Sequence, residues 1–284
     1  MSDITIQRSS KLSISNILLY VVLAIVAIIQ LFPLYWMFSF SLKSNAEIFG
    51  GNPIGLPSTW LWSNYSKAIL RGNVGHYFLN SVIVTAATII LTSIFAVMAS
   101  YALTRMVFKI RKPLNSLFIL GLTVPLHSAM LPIFIILRNL KLVNSYWALI
   151  LPYAAFAIPM AILIISGFMI SIPKELEEAA CIDGCSIYQI FFKIILPLMK
   201  PAIATVTIFT FLQAWNELMY AVVFISDERY KTLTVGIQSL AGQYTTEWGP
   251  IGAGLMVATI PTLIIYAFMS KKVQESLVVG AVKG

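Results

Sequence analysis

Residues 171–201 read SIPKELEEAACIDGCSIYQIFFKIILPLMKP and form the only long segment of this chain in which charged residues are dense. The rest of the sequence is a series of apolar blocks. Charged side chains are costly inside a bilayer, so a charged segment between apolar blocks belongs outside the lipid. We therefore interpret residues 171–201 as a helix-turn-helix that lies between two membrane spans.

The first helix of this segment carries the usual signals at both ends. Ser171 is a candidate N-cap, and Pro173 suits the first turn, where the amide hydrogen that proline lacks has no partner in any case. Gly184 predicts the end of the helix, because glycine adopts the left-handed conformation at little steric cost. Carboxylates fall where the positive end of the helix dipole favours them, at Glu175, Glu177 and Glu178.

A second helix is predicted to begin at once. Ser186 and Gln189 have the S-x-x-Q spacing of a capping box. Pro197 is expected to end this helix, because an internal proline removes a hydrogen bond and clashes with the preceding turn. The spacing i, i+3, i+4, i+7, i+8 predicts one apolar helical face, formed by Ile187, Ile190, Phe191, Ile194 and Ile195.

The composition identifies an integral membrane protein. Of the 284 residues, 59% are hydrophobic and 11% are charged, whereas a soluble domain has about 25% charged residues. The net charge of +8 does not indicate nucleic-acid binding, because the lysines and arginines lie beside apolar blocks, as topology signals do.

Six apolar blocks are long enough to cross the hydrocarbon core, which takes roughly 20 residues. Each must be helical, because lipid cannot satisfy free backbone groups. The first is too long for a cleavable signal peptide, and no small-x-small cleavage site follows it. The sequence thus predicts an all-α integral membrane protein with one transmembrane domain over residues 1–284. Its six spans are residues 17–41, 78–103, 114–137, 146–170, 202–226 and 250–270.

Lysine and arginine predict the orientation. Twelve lie in the N-terminus, the second loop, the 171–201 loop and the C-terminus, and seven lie in the other three loops. The densest group is at residues 105–112. By the positive-inside rule, both termini and the 171–201 loop are cytosolic.

The 171–201 segment resembles the EAA loop of bacterial ABC-importer permeases, whose pattern is E-A-A-x-x-D-G followed by an apolar run and L-P. The matching residues are Glu178, Ala179, Ala180, Asp183, Gly184, Phe191, Ile194, Leu196, Pro197 and Pro201. The alternative is a solvated hairpin that merely joins two spans.

This resemblance implies a set of partners. In the family, the loop docks into a groove of a cytosolic ATPase, a second related permease completes the pore, and an extracytoplasmic binding protein delivers the solute. In maltose-type members the second permease is a different chain, which implies a heterodimer in a bacterial inner membrane. The residues implied in ATPase coupling are Glu178, Ala179, Ala180, Asp183, Gly184, Ser186, Ile187, Ile190, Phe191, Ile194 and Pro197.

The fifth block carries a polar group, LQAWNEL, with Gln213, Asn216 and Glu217. The W-N-E run resembles permeases of the carbohydrate class, as does the closing VVGAVKG segment. A carboxylate in a span usually faces an internal cavity or a partner. Two interpretations stay open: these residues line or gate the translocation path, or Glu217 is buried in a contact with the partner subunit.

The last outer loop, residues 227–249, contains Tyr230, Tyr244 and Trp248. Polar and aromatic residues together suit contact with a sugar or with the external binding protein. They also suit an interfacial aromatic belt. We favour the contact.

The chain lacks the motifs of several other functions. It has no G-x-x-x-x-G-K-[ST] loop, so we expect ATP and Mg²⁺ to be bound by partner subunits. No metal-binding motif or nucleophile elbow occurs. Cys181 and Cys185 are expected to be small, mostly buried residues that bind no metal and form no disulfide in the cytosol.

The leading interpretation is a carbohydrate-class importer permease without enzymatic activity of its own. A second hypothesis is an ion-coupled carrier that uses Glu217, although such carriers usually show two related halves or several intramembrane charges. A third is a membrane subunit that does not transport, which no catalytic pair within the spans supports.

Overall fold

The computed structural model describes residues 14–241 and 246–281, with side chains over 15–241 and 246–268. The described residues contain α-helices, short 3₁₀ and π segments and connecting loops, and no β-strand. In chain order these helices are α1 (Ile14–Ser41), α2 (Asn45–Gly50), α3 (Ser63–Ser66), α4 (Val74–Arg105), α5 (Arg111–Gly121), α6 (Met130–Asn139), α7 (Trp147–Ser171), α8 (Glu175–Ile182), α9 (Ile187–Ile190), α10 (Leu196–Leu198), α11 (Lys200–Trp215), α12 (Met219–Phe224), α13 (Leu233–Ser239) and α14 (Trp248–Ala281).

Four helices are each long and apolar enough to cross a membrane, namely α1, α4, α7 and the first part of α14. Two bent helix pairs raise the number of candidate spans to six. One pair is α5 with the segment that contains α6, and the other joins the segment of α9 and α10 to α11. The all-helical membrane architecture is as predicted, and the first, second and fourth spans begin and end within four residues of the expected positions.

The third span is not the continuous helix predicted for residues 114–137. Helix α5 ends at Gly121, a short 3₁₀ turn runs over Leu126–Ala129, and the two halves bend by 99°. Pro125 stands at the start of this turn in an extended conformation. A proline pushes the residue before it out of the helical region, so the chain breaks where Pro125 occurs.

The fifth predicted span, residues 202–226, is also interrupted. Helix α11 ends at Trp215 and α12 begins at Met219, so Glu217 lies in the break. The last helix, α14, continues to Ala281, beyond the predicted end at residue 270.

Helices α4, α7 and α11 form the centre of the bundle. The face of α4 that packs there carries small hydroxyl side chains, which allow close approach of helices in a membrane: Ser81, Thr85, Thr88, Thr92 and Ser100. Helix α1 lies at the edge against α14, with none of its most apolar window buried. Its apolar side chains are exposed in the isolated chain, which suits a helix that crosses a membrane.

At the end of α1, the chain folds over a buried lysine. Lys43 is 1% exposed, and its ammonium donates to the carbonyls of Asn52 and Gly55, at 2.6 Å each. Asn64 donates to the carbonyls of Ser41 and Lys43. Lys43 was counted as a topology signal, but it is a structural residue of this loop.

Candidate functional site

Helices α8, α9 and α10 form the predicted helix-turn-helix within residues 171–201, called the hairpin below. The residues that cap its first helix differ from those that the sequence predicts. Ser171 is the last residue of α7, and its hydroxyl donates to the Phe168 carbonyl rather than capping α8. Lys174 is the N-cap residue and makes no side-chain cap. Three carboxylates occupy the first turn of α8, as the helix dipole favours.

Gly184 ends α8 as predicted, with a left-handed φ of 78°. The amide of Cys185 donates to the Ala180 carbonyl at 2.9 Å, and that of Gly184 to the Cys181 carbonyl at 3.0 Å. This pair of bonds is the Schellman motif. A Cβ built at Gly184 would meet no atom within 4 Å, so within this chain the backbone conformation alone requires glycine.

Ser186 and Gln189 form the predicted capping box: the Ser186 hydroxyl accepts from the Gln189 amide, and the Gln189 side chain accepts from the Ser186 amide. The helix then contains a π turn over Phe191–Ile195 and continues to Leu198. Pro197 therefore lies inside it and does not end it. The π turn changes the backbone hydrogen-bond pattern in the residues before Pro197, where the proline ring would clash with an ordinary α-helix.

The two faces of the hairpin are now distinct. Ile190 is 7% exposed and Ile195 is fully buried, and both pack into the core of this chain, with Phe191, Ile194 and Cys185 beside them. Phe191 lies against the Tyr101 ring of α4, with centroids 5.1 Å apart. Most of the predicted apolar face thus holds the hairpin to its own bundle.

The opposite face of the hairpin carries large exposed apolar side chains. They are Leu176, Ile182, Ile187, Tyr188 and Phe192, and Ile182 is 87% exposed. Of the residues that the EAA resemblance singles out, Ala180 and Ile190 are buried. The ones that remain exposed are Glu178, Ala179, Asp183, Gly184, Ser186, Ile187 and Pro197.

An ion pair anchors the hairpin, and sequence reasoning missed it. Arg105 Nε lies 2.8 Å from Glu177 Oε1, with side chains only 7% and 16% exposed. The Tyr101 hydroxyl donates to Glu177 Oε2 at 3.2 Å. Arg105 also donates to the carbonyls of Met169 and Ile172 at the end of α7. Arg105, counted only as a topology signal, joins α4, α7 and α8.

The two cysteines are free thiols. Cys185 is half-buried, but Cys181 is exposed, contrary to the prediction that both are mostly buried. Cys181 lies on α8, on the side of the helix that does not pack on the bundle.

Glu217 is buried and hydrogen-bonded within this chain. Its carboxylate is 5% exposed and accepts hydrogen bonds from the Tyr220 amide at 3.0 and 3.1 Å, from the Ala221 amide at 3.3 Å, and from the Tyr153 hydroxyl at 2.5 Å. It therefore caps the start of α12 across the break after α11. The groups that satisfy the Glu217 carboxylate thus come from this chain, and a path role of Gln213 and Asn216 stays a prediction.

The other predicted path residues lie nearby. Asn216 is exposed and donates to the Leu212 carbonyl. Gln213 is half-buried and lines a cavity of about 170 Å³ between α7 and α11, together with Thr210 and apolar side chains.

The predicted contact residues of the last outer loop are spread apart. Tyr230 packs edge-on against Tyr146, with centroids 5.1 Å apart. Trp248 begins α14, is 42% exposed and packs against Phe49. Tyr244 lies outside the described residues.

A short 3₁₀ turn in this loop is held by charges. Asp227 accepts from the amide and the guanidinium of Arg229, which lowers the pKa of Asp227 to about 2. A hydrogen bond from Lys231 lowers the pKa of Glu228. Among residues 14–241 and 246–268, no group of His, Cys, Asp and Glu side chains could hold a metal ion.

Together, the fold and the site define an all-helical membrane protein that presents an anchored helical hairpin outside its bundle. Residues 92–279 match the family model described as the inner membrane component of a binding-protein-dependent transport system. The chain belongs to this family, and the ABC-importer permease that the EAA resemblance predicts is confirmed.

Similar proteins agree over most of the chain. A probable ABC transporter permease, YurM of Bacillus subtilis, is 39% identical over 89% of this chain and 84% of its own. The diacetylchitobiose uptake permease NgcG of Streptomyces coelicolor is 35% identical over 89% and 84%. A crystal structure of a bacterial ABC transporter that imports the polysaccharide alginate matches with a TM-score of 0.80 at 25% identity, over 93% of this chain and 98% of that one.

Proposed function

We propose that this chain is one of two permease subunits of an ATP-driven importer for a sugar or oligosaccharide. The saccharide class rests on the similarity to uptake systems for diacetylchitobiose and alginate. The observation that carries the coupling role is the hairpin, which is fixed to α4 and α7 on one face and exposes apolar side chains on the other.

A cytosolic ATPase pair is the proposed occupant of that exposed face. Tyr188 and Phe192 are 74% and 60% exposed, and helix-in-groove recognition uses such apolar anchors. Glu178 and Asp183, also exposed, give the surface an acidic rim that suits a basic groove edge. In this proposal ATP and Mg²⁺ are bound only by the ATPases, and the permease has no enzymatic activity of its own.

The remaining partners follow from the same proposal. A second, related permease completes the path, as a heterodimer, and an extracytoplasmic sugar-binding protein docks on the outer loops. Both termini and the hairpin face the cytosol. The ion-coupled carrier has no support, because the carboxylate it would need is fully engaged as the cap of α12.

Affinity purification tests this proposal. The chain, tagged at its N-terminus, is purified in mild detergent from its own cell membranes, and the copurifying proteins are identified by mass spectrometry. We expect an ATP-binding subunit, a second permease and a binding protein. Isolation of the chain alone, or only with itself, would contradict the proposal.

A pair of matched variants tests the docking surface. Tyr188→Ala should reduce recovery of the ATP-binding subunit, whereas Leu70→Ala, at an equally exposed position away from the hairpin, should not. Equal recovery of the ATP-binding subunit with both variants would place the docking surface elsewhere.

ATP-dependent uptake of radiolabelled diacetylchitobiose, maltose and trehalose tests the saccharide class.

A further inference from the structure

The loop after α1 turns back along the helix that it leaves. The Trp36 indole donates to the carbonyl of Pro53 at 2.9 Å, and the Ser39 hydroxyl donates to that of Gly55 at 2.7 Å. Trp36 lies five residues before the end of α1, which is about 8 Å along the helix axis at 1.5 Å per residue. Residues 53–55 therefore lie beside the last turns of α1, and not beyond its end.

Helix α1 is long enough to place these residues at the level of lipid. Its apolar stretch of 27 residues extends about 40 Å, whereas the hydrocarbon core of a bilayer is about 30 Å thick. In a span centred in the bilayer, the end of α1 therefore lies about 5 Å outside the hydrocarbon, within the headgroup layer. Residues 53–55, which lie nearer the membrane centre than this end, reach the boundary between headgroups and acyl chains.

Side chains satisfy the backbone of this segment. The Lys43 ammonium donates to the carbonyls of Asn52 and Gly55, and the Asn52 side chain donates to the Leu56 carbonyl at 2.7 Å. With the two bonds from α1, four of the five carbonyls of residues 52–56 accept from a side chain. A loop in water can leave such carbonyls to the solvent, whereas non-helical backbone at membrane depth must be satisfied by the protein.

The exposed surface of the segment carries apolar side chains and no charge. Residues 48–66 contain no charged residue. Ile54 and Leu56 are 56% and 57% exposed. The exposed polar side chains near them are the hydroxyls of Ser58 and Thr59. Such a surface suits the layer in which acyl chains meet headgroups.

Aromatic rings continue this surface. The rings of Trp60 and Trp62 stack with centroids 6.4 Å apart, and both side chains are exposed. Phe38 of α1 lies edge-on against each of them. Tryptophan is enriched at membrane–water interfaces because its ring is apolar and its N–H is polar. The rings are attached to the end of α1, which the length of the helix places in that layer.

We propose that residues 53–62 form an interfacial anchor, which lies in the lipid surface beside α1. Ile54 and Leu56 contact the acyl chains, and the two tryptophans lie among the headgroups. The buried Lys43 supplies the donors that let this backbone enter a layer poor in water. The position at the lipid surface is independent of the proposed function, and only the choice of the outer leaflet rests on the proposed orientation.

A spin label measures whether this surface meets lipid, water or protein. Ile54→Cys carries a nitroxide in a Cys181→Ala, Cys185→Ala background, in the whole complex in phosphatidylcholine–phosphatidylglycerol nanodiscs without binding protein. Its collisions with oxygen, which concentrates in lipid, are compared with those of a water-soluble nickel chelate. Leu140→Cys is the matched control, because Leu140 is apolar and 61% exposed but lies beside Lys141 in the loop after α6. We expect a several-fold higher oxygen-to-nickel ratio at Ile54→Cys.

The two collision rates distinguish the possible surroundings of the label. A ratio at Ile54→Cys no higher than at Leu140→Cys would overturn the proposal, because the loop would then stand in water. Low collision rates with both reagents would also overturn it, because a neighbouring subunit would then cover the surface. Oxygen access without nickel access supports the anchor.

Lys43→Met tests the buried ammonium. Methionine has an unbranched chain of similar length but no donor, so the carbonyls of Asn52 and Gly55 lose their hydrogen bonds. We expect the nitroxide at Ile54→Cys to gain access to nickel and lose access to oxygen. Lys67→Met is the control, because that ammonium pairs with a carboxylate instead, and it should leave the label unchanged. An unchanged label in Lys43→Met would overturn the role of this lysine, and the label in the chain with Lys43 intact still decides the anchor if the variant does not fold.

Discussion

Two buried carboxylates hold the two ends of the bundle in different ways. Glu177, in the hairpin, pairs with Arg105. Glu217, in the helix break, accepts from backbone amides of α12 and forms no ion pair with a lysine or arginine of the described residues. Each also accepts from a tyrosine, Tyr101 or Tyr153. The two sites are separated by most of α7, about 27 Å along the eighteen residues from Tyr153 to Ser171 at 1.5 Å per residue.

This difference determines how much stability is lost when the contacts of each carboxylate are removed. A buried ion pair leaves an uncompensated charge when one member is removed. A helix N-terminus leaves neutral amides instead, which a different acceptor can still satisfy. The hairpin end should therefore be the more sensitive of the two to single substitutions.

Arg105→Ala should have the largest effect. It leaves the Glu177 carboxylate buried without its cation, which costs about 3–5 kcal/mol. The carbonyls of Met169 and Ile172 also lose their donor. We expect a lower thermal midpoint of the purified complex and ATP hydrolysis without uptake, measured in proteoliposomes. The double variant Arg105→Met, Glu177→Leu should recover part of the stability, and no recovery would show that the pair is not the anchor.

Glu217→Ala should destabilise less, by about 1–3 kcal/mol, since it strands buried amides and the Tyr153 hydroxyl without introducing a charge. Glu217→Gln keeps an acceptor oxygen and should lie much closer to wild type. Thermal unfolding of the two variants in the same detergent measures the difference. If Gln were as damaging as Ala, the charge itself, and not the cap, would be what the break requires.

Gly184→Ala tests the hairpin turn apart from its anchor. The left-handed conformation at Gly184 should cost alanine about 1–2 kcal/mol, and no side-chain clash adds to this within the chain. Gly184→Asn, which tolerates this conformation, should retain more uptake than Gly184→Ala.

Gly184→Asp should couple ATP hydrolysis to transport poorly, because it adds a charge at an exposed turn of the proposed docking surface. Uptake by Gly184→Asp at the wild-type rate would remove this turn from the coupling mechanism.

The smallest effect is expected in the loop after α12, where the Asp227–Arg229 pair is partly exposed. The folded pKa of Asp227 is about 2, below its ordinary value of 3.8, because Arg229 binds the ionised form. The stabilisation is therefore full above pH 4 and is lost as the pH falls through about 2. Asp227→Asn should differ slightly from wild type in thermal midpoint at neutral pH, and the difference should shrink below pH 4. A difference that stays constant with pH would exclude the ion pair as its cause.

The sequence predicted what depends on neighbouring residues. The dipole-compensating carboxylates of α8, the left-handed Gly184 and the capping box at Ser186 are all encoded within a few positions. The anchor was not predictable, because nothing in the local sequence shows that Arg105 and Glu177 meet. The π turn over Phe191–Ile195 was not predictable either, because the apolar spacing of this segment also fits an ordinary α-helix.

Neither helix break was predicted, because both spans were expected to be continuous. The polar run LQAWNEL pointed to Glu217, but its role depends on where α12 starts and on Tyr153, which comes from another helix. The contact between the two breaks, a hydrogen bond from the Tyr220 hydroxyl to the Leu126 carbonyl, arises only in the folded chain. The spans were therefore easier to predict than the points at which they are interrupted.

The Lys43 ammonium takes a position in the loop after α1 that a metal ion could otherwise fill. Backbone carbonyls gathered around a cation are a common arrangement for bound calcium. Here the cation is a side-chain ammonium, held by the carbonyls of Asn52 and Gly55. Because this cation is covalently attached, a chelator or dilution of the medium cannot remove it. The carbonyls of Asn52 and Gly55 therefore need no bound divalent ion to hold them together.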